Sequence, residues 1–203
     1  NLLYTDLIDA DFYFADLTNA DLRYTDLSNG RLYAADLAYA DLRSADLIDA
    51  DLRYADLTDA DLGAADLTDA NLRYADLINA DLENADLTNA FLQSANLTNA
   101  VLENADLTDA YLYGADLTNA NLYGADLTDA LLYNANLTDA DLRYADLTNA
   151  LVAADLTNAD LRYADLKFAD FSSASGTNSA TFTNTYWHQT EWTDGIKYDS
   201  NQA

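Results

Sequence analysis

Leucine recurs every five residues along most of this chain, at positions 2, 7, 17, 22, 27, 32 and onward to 147, with Phe12 substituting once. Two residues before each apolar position stands a small residue, such as Ala10, Ala15, Ala20, Ala35 and Ala40, relieved by Thr5, Thr25 and Gly30. The unit reads A-[D/N]-L-x-x. An α-helix cannot use this spacing. Five residues advance about 500°, so each Leu lands ~140° from the last and no apolar stripe forms. A continuous strand fails too, because an odd period sends successive Leu to opposite faces. One arrangement serves every repeat: Ala and Leu point inward around an outward Asp, and the next two residues turn a corner. Repeated, that move winds the chain into a coil whose turns stack about 4.8 Å apart through backbone hydrogen bonds. The pattern therefore predicts an all-β solenoid in which each buried Leu contributes roughly 1.5–3 kcal/mol.

A second period sets the number of sides. Pentads ending Thr-Asn or Thr-Asp alternate with variable ones, as in the run from Ala85 to Asn104. An even number of sides keeps like stacked on like, and four is the natural choice, giving about 20 residues per coil. The run of A-[D/N]-L-x-x units over residues 1–174 resembles the pentapeptide-repeat family. That resemblance implies a right-handed quadrilateral β-helix, a handedness the spacing alone does not show. Two irregularities are expected to matter. One residue is missing in Ala150-Leu151-Val152-Ala153-Ala154, so the frame resumes early at Leu156, Leu161, Leu166 and Phe171. A locally tightened corner is expected there. From Ser172 to Asn178 the pattern thins, and Phe182, Trp187 and Trp192 then return five residues apart. Residues 175–203 are read as a capping coil and tail, with Phe171, Phe182, Trp187 and Trp192 as an aromatic C-terminal cap. Leu2, Leu7, Phe12 and Leu17 are read as an open N-terminal coil, because an unpaired coil edge exposes core and backbone groups.

Charge narrows the function classes. The 203 residues carry 36 acidic against 9 basic side chains, a net charge of −27, so direct nucleic-acid binding is not expected. Solubility, cation binding, a basic partner or imitation of a polyanion all fit. No apolar stretch approaches the ~18 residues of a membrane-spanning helix. The absence of Cys excludes disulfides, Cys-based zinc sites and thiol chemistry. The chain begins in mid-repeat at Asn1-Leu2 and holds no Met, which favours the reading of an exported protein, secreted, periplasmic or in a thylakoid lumen.

No catalytic constellation is visible, and neither an enzyme nor a cofactor is expected. The single His188 sits beside Trp187, and no glycine-rich phosphate loop or His cluster is present. Asp columns run along the second side (Asp6, Asp26, Asp46, Asp66, Asp86, Asp106, Asp126, Asp146). Others run along the fourth (Asp16, Asp36, Asp56, Asp76, Asn96, Asp116, Asn136, Asp155). Neighbours ~4.8 Å apart repel by about 0.9 kcal/mol in water, so the columns are expected to gather cations weakly or to raise some carboxyl pKa values. Thr columns beside them (Thr58, Thr98, Thr118, Thr138; Thr68, Thr88, Thr108, Thr128, Thr148) have the regularity of an ice-binding surface, which the adjacent carboxylates oppose. Arg23, Arg43 and Arg143 on the first side and Arg53 and Arg73 on the third are placed to pair with neighbouring Asp.

The third side is the most informative. Its outward positions change from Asp11, Arg31, Asp51 and Asn71 to Phe91, Tyr111, Leu131 and Leu151, with Tyr113 and Tyr133 on the same levels. A column of exposed apolar residues suggests an interface. The leading expectation is a structural or self-assembling protein, extending head to tail through the open coil and laterally through this strip. Relatives that resemble duplex DNA and bind DNA gyrase supply a second, DNA-mimicking reading. Those are typically dimerised through a C-terminal helix, whereas this C-terminal segment is rich in Thr, Asn and Trp. A generic acidic scaffold for a basic protein is the third.

Overall fold

The computed structural model describes residues 2–198. Residue 1 and residues 199–203, the end of the expected tail, lie outside the described residues. The chain winds into stacked coils joined by one-residue parallel bridges, each linking an outward position to its counterpart one coil on, as in Asp6↔Asp26, Asp11↔Arg31, Asp16↔Asp36 and Asp21↔Asp41. Those four bridge series per 20 residues are the four sides. Faces are numbered here by their bridges: face one through Asp21 and Asp41, face two through Asp6 and Asp26, face three through Asp11 and Arg31, face four through Asp16 and Asp36.

The backbone of one pentad shows why the repeat has its form. Across Ala65–Ala70, the Asp66 amide donates to the previous coil at Ala45 O (3.0 Å), while Leu67 N and Asp69 N donate to the next at Asp86 O (2.7 Å) and Thr88 O (2.9 Å). Ala70 N closes the turn on Leu67 O (3.0 Å). The remaining amide, Thr68 N, lies at the corner and donates to the Asp66 Oδ1 (3.0 Å). Every N–H is used, as a buried or bridged backbone demands. The second corner residue has positive φ, +58° at Asp69 and +58° at Asn89. Asn and Asp tolerate that left-handed conformation better than other side chains, which explains the Thr-Asn and Thr-Asp endings.

Inside, Leu22 through Leu166 and the Ala of each pentad are completely or almost completely buried. The single core cluster runs the length of the stack, with Leu2, Leu7, Phe12 and Leu17 packed half-buried against its first layer. The missing residue takes effect at Val152-Ala153-Ala154. Bridges there span 19 residues, Asn136↔Asp155 to Leu151↔Asp170. Val152 and Ala154 stay inward while Ala153 alone makes the corner, and Asn134 N still reaches Ala153 O (2.8 Å). An extra residue between Ser175 and Thr181 follows, so the next bridges span 21, from Asp160↔Thr181 to Asp170↔Glu191. Gly176 sits in that bulge at φ +69°, where a Cβ would come within 2.4 Å of Thr157 N.

Phe182, Trp187 and Trp192 take the Leu position in the last coil. Phe171 above them is fully buried, with ring centroids 4.8 Å from Trp192 and 6.3 Å from Phe182. Trp187 packs at 4.7 Å from Trp192. Strand β1 (Thr190–Glu191) then pairs antiparallel with β2 (Lys197–Tyr198), in register Thr190↔Tyr198 and Glu191↔Lys197. Tyr198 meets Trp187 edge-on at 6.2 Å.

Candidate interaction site

Four outward faces differ in chemistry. Face two carries an uninterrupted carboxylate at its bridge position from Asp6 to Asp165, and face four carries Asp or Asn from Asp16 to Asp155. These side chains are turn-closing acceptors as well as charges. Asp106 and Asp126 each accept the amide two residues on, at Thr108 and Thr128 (both 2.9 Å), and Asp16 and Asp155 also accept the Thr18 and Thr157 hydroxyls (2.7 and 2.6 Å). At Asp16 and Asp155 the geometry runs against the expected rise in carboxyl pKa: hydrogen bonds from the Thr18 and Thr157 side chains hold both below the usual carboxylate range. Among the described residues no group of three or more acidic or His side chains converges as a metal cage would require. His188, exposed, lies edge-on to Phe168 at 5.1 Å.

Face one holds a ladder of alternating charge. Arg23 Nε contacts Asp21 in its own coil (2.8 Å) and Asp41 in the next (3.3 Å), and Arg43 repeats this with Asp41 (2.6 Å) and Asp61 (3.2 Å). Arg143 does the same with Asp141 (2.6 Å) and Asp160 (3.9 Å). Hydrogen bonds from the Arg23, Arg43 and Arg162 guanidiniums lower the pKa of Asp21, Asp41 and Asp160. On face three Arg53 pairs with Asp51 (2.6 Å), whereas Arg73 lies over the Phe91 ring at 4.4 Å. Exposed pairs of this kind contribute below about 1 kcal/mol each.

The third face brings the apolar residues into one column through the bridges Phe91↔Tyr111, Tyr111↔Leu131 and Leu131↔Leu151. Phe91 and Tyr111 stack at 5.0 Å, and Tyr113 and Tyr133 follow at 6.3 Å. Their exposure is uneven. Leu151, Tyr113 and Tyr133 are exposed, but Phe91, Tyr111 and Leu131 lie half-buried against their neighbours rather than standing free. Replacing Asp here has a cost: no side-chain acceptor is left at the outward position for the Gln93, Tyr113 and Tyr133 amides. Gln93 Oε1 is buried on the same face with no hydrogen-bond donor. Between Asp51 and Asp170 this face bears no acidic side chain at all.

Sequence reading missed the aromatic corners. Tyr54 and Tyr74 stack at 4.9 Å (10° between planes), Tyr144 and Tyr163 at 4.9 Å (6°), and Tyr4 and Tyr24 at 4.9 Å (10°). The available signal was the Arg-Tyr dipeptide, recurring as Arg53-Tyr54 and Arg73-Tyr74, one coil apart.

Fold and faces together define a class, an acidic tandem-repeat solenoid of the β-helix kind with chemically distinct sides. The chain belongs to the pentapeptide repeat family: the family model, pentapeptide repeats (8 copies), matches residues 1–32, 25–63, 65–104, 95–132, 120–151 and 151–175. Among solved structures it is similar to HetL, a pentapeptide repeat protein involved in heterocyst differentiation regulation from the cyanobacterium Nostoc sp. strain PCC 7120. The identity is 35% over 98% of this chain and 93% of that chain, with a TM-score of 0.61. QnrB1, a plasmid-mediated fluoroquinolone resistance protein, matches at 16% identity over 76% of this chain and 90% of that chain, with a TM-score of 0.39. A pentapeptide repeat protein from the Arabidopsis thaliana thylakoid lumen matches at 27% over 61% and 68%, with a TM-score of 0.26. The last two overlay too loosely to carry an argument. Comparison with curated protein sequences gives no match. No helix among the described residues is long and apolar enough to cross a membrane.

Proposed function

We propose that this protein is a non-enzymatic structural scaffold that associates with itself side by side through face three, as the right-handed quadrilateral β-helix that the family resemblance implies. The neutral apolar strip carries this reading. On a chain of net charge −27, two copies meeting through faces two or four would set carboxylate columns against each other. Phe91, Tyr111, Tyr113, Leu131, Tyr133 and Leu151 form a stretch where that repulsion is absent. The strip also gives up one turn-closing acceptor per coil, a local loss of about 1 kcal/mol each that nothing within the coil returns. Contact between copies would return it by burying the rings and offering Gln93 a donor. The head-to-tail contact expected through Leu2, Leu7, Phe12 and Leu17 needs a second open end. We read the aromatic coil of Phe171, Phe182, Trp187 and Trp192, with its β1–β2 hairpin, as a cap at the other end, so lateral contact is the stronger part of the proposal.

Light scattering on the purified chain tests it. Leu131→Asp restores the repeat's own residue and a turn acceptor for Tyr133, so the variant should fold while its particle mass falls towards the monomer. Val101→Asp, the same change on face one, should leave the mass unchanged. Equal mass for wild type and Leu131→Asp would sink the proposal.

The unbroken Asp column of face two supports a second reading, an acidic regulator that engages a basic protein such as DNA gyrase by imitating a polyanion. HetL, the 35% identical relative, is itself involved in regulation. Gyrase supercoiling assayed with added protein decides this reading, and neither inhibition nor protection at micromolar concentration would end it.

A further inference from the structure

We propose that the stacked tyrosine corners are oxidative cross-linking sites, at which a one-electron oxidant joins neighbouring coils through dityrosine. Three pairs with both rings exposed have the required arrangement: Tyr54 with Tyr74, Tyr144 with Tyr163, and Tyr4 with Tyr24, each with centroids 4.9 Å apart and planes within 10° of parallel; Tyr13 and Tyr33 also stack, at 5.1 Å and 14°, with Tyr33 half-buried. The six rings of the three exposed pairs range from 42% at Tyr163 to 71% at Tyr4, so a diffusing oxidant reaches them. Exposed side chains move on the ps–ns scale, which lets two stacked rings close the remaining gap.

Composition gives a second, independent argument. Cys and Met are the side chains that ordinarily consume oxidant first, and the 203 residues contain neither, against 15 Tyr. Both Trp residues are half-buried in the last coil. Oxidising equivalents arriving at the coil stack therefore meet phenols. Placing Tyr at these corners is also locally unfavourable. Tyr54, Tyr74, Tyr144 and Tyr163 all hold φ between +59° and +64°, where Asn or Gly would sit with less strain.

The chemistry balances with a peroxide-driven oxidant of the haem peroxidase type. Each phenol loses one electron and its O–H proton, and the two phenoxyl radicals join ortho carbon to ortho carbon. The hydrogen on each joined carbon then shifts to its oxygen, restoring both rings. Two hydrogen atoms leave the protein, and one peroxide takes their electrons and protons to become two waters. The product links residues one coil apart and closes the chain between them into a loop.

The test treats the full chain with a peroxidase and hydrogen peroxide, then reads dityrosine fluorescence and the masses of tryptic cross-linked peptides. Because Arg precedes Tyr24, Tyr54, Tyr74, Tyr144 and Tyr163, trypsin places these five rings on five different peptides, and fragment ions separate Tyr74 from the four other Tyr of its peptide. Links should join Tyr54 to Tyr74 and Tyr144 to Tyr163, with a mass loss of two hydrogens each. Their yield should not change on dilution, and the treated protein should unfold at higher temperature. Tyr74→Phe should abolish the Tyr54 link to position 74 and leave that between Tyr144 and Tyr163. Random pairing that includes Tyr39 as often, yields that fall with dilution, or oxidation confined to Trp187 and Trp192 would each overturn the proposal.

Discussion

The outward Asp of each pentad holds the corner closed, and its charge is secondary. Where Asn replaces it, at Asn96, Asn121 and Asn136, the same Oδ1 still accepts the amide two residues on, at 3.2, 3.1 and 3.1 Å. What Asp and Asn share is that oxygen. Asp126 separates the two contributions, because it accepts from Thr128 (2.9 Å) while standing between Asp106 and Asp146 in the face-two column. Asp126→Ala removes the acceptor and should destabilise by about 1 kcal/mol. Asp126→Asn keeps the acceptor and relieves repulsion from two neighbours, each of order 0.9 kcal/mol at ~4.8 Å in water, so it should be neutral or stabilising. Urea midpoints of the three proteins check this, and an Asn variant as weak as the Ala variant would show that charge is what the position needs. The alternation of Asp with Asn was legible in the sequence, but its cause was not, because a side chain bonding to its own backbone leaves no mark on hydrophobic periodicity. The same holds for the positive-φ corner: Asn89 and Asp69 are written plainly as Thr-Asn and Thr-Asp, yet only the backbone angle says why.

At the scale of the element, the five-residue turn tolerates one omission and one insertion because each coil is bonded only to its neighbours. Val152-Ala153-Ala154 lacks the residue that would carry positive φ, and the turn bond from the small residue to the apolar one, made in every earlier pentad as by Ala150 to Leu147 (3.0 Å), is missing. The corners above and below, at Asn134 and at Ser172–Ser173, have their full complement, so the omission leaves a notch between them lined by Asn134, Ala153, Ala154 and Ser173. Inserting Asn between Ala153 and Ala154 should fill that notch, restore the 20-residue spacing and raise the thermal midpoint. The gain should be about 1 kcal/mol, the worth of one added turn bond, and a lowered midpoint would mean that the tight corner is needed by the coils after it. This irregularity was legible from the frame shift of Leu156. The compensating extra residue between Ser175 and Thr181 was not, because by then the apolar marker had changed from Leu to Phe and Trp.

On the whole molecule, a continuous core opposes a net charge of −27. The core and four sides follow from periodicity alone, whereas the division of labour among the faces needed the structure: repulsive faces two and four, a charge-paired face one and a neutral strip on face three. That division makes association and stability respond differently to solution conditions. Salt screens carboxylates within a Debye length of about 8–10 Å at physiological strength, so side-by-side association through face three should increase with added salt. Acid acts through the carboxyls that hydrogen bonds hold ionised. The Arg23, Arg43, Arg53 and Arg162 hydrogen bonds hold Asp21, Asp41, Asp51 and Asp160 below the unfolded value of 3.8. A depressed folded pKa means their contribution is whole above 3.8 and is lost as pH falls through the folded values. The thermal midpoint, followed by circular dichroism, should therefore hold from neutral pH down to the carboxylate range and fall below it. Arg43→Gln should blunt the acid-side fall, because it removes the partner that holds Asp41 ionised and a neighbour of Asp61. An acid-side fall as steep in Arg43→Gln as in the wild type would mean that the guanidinium bonds of face one do not set this sensitivity, and that the carboxylates closing the turns on the other faces do.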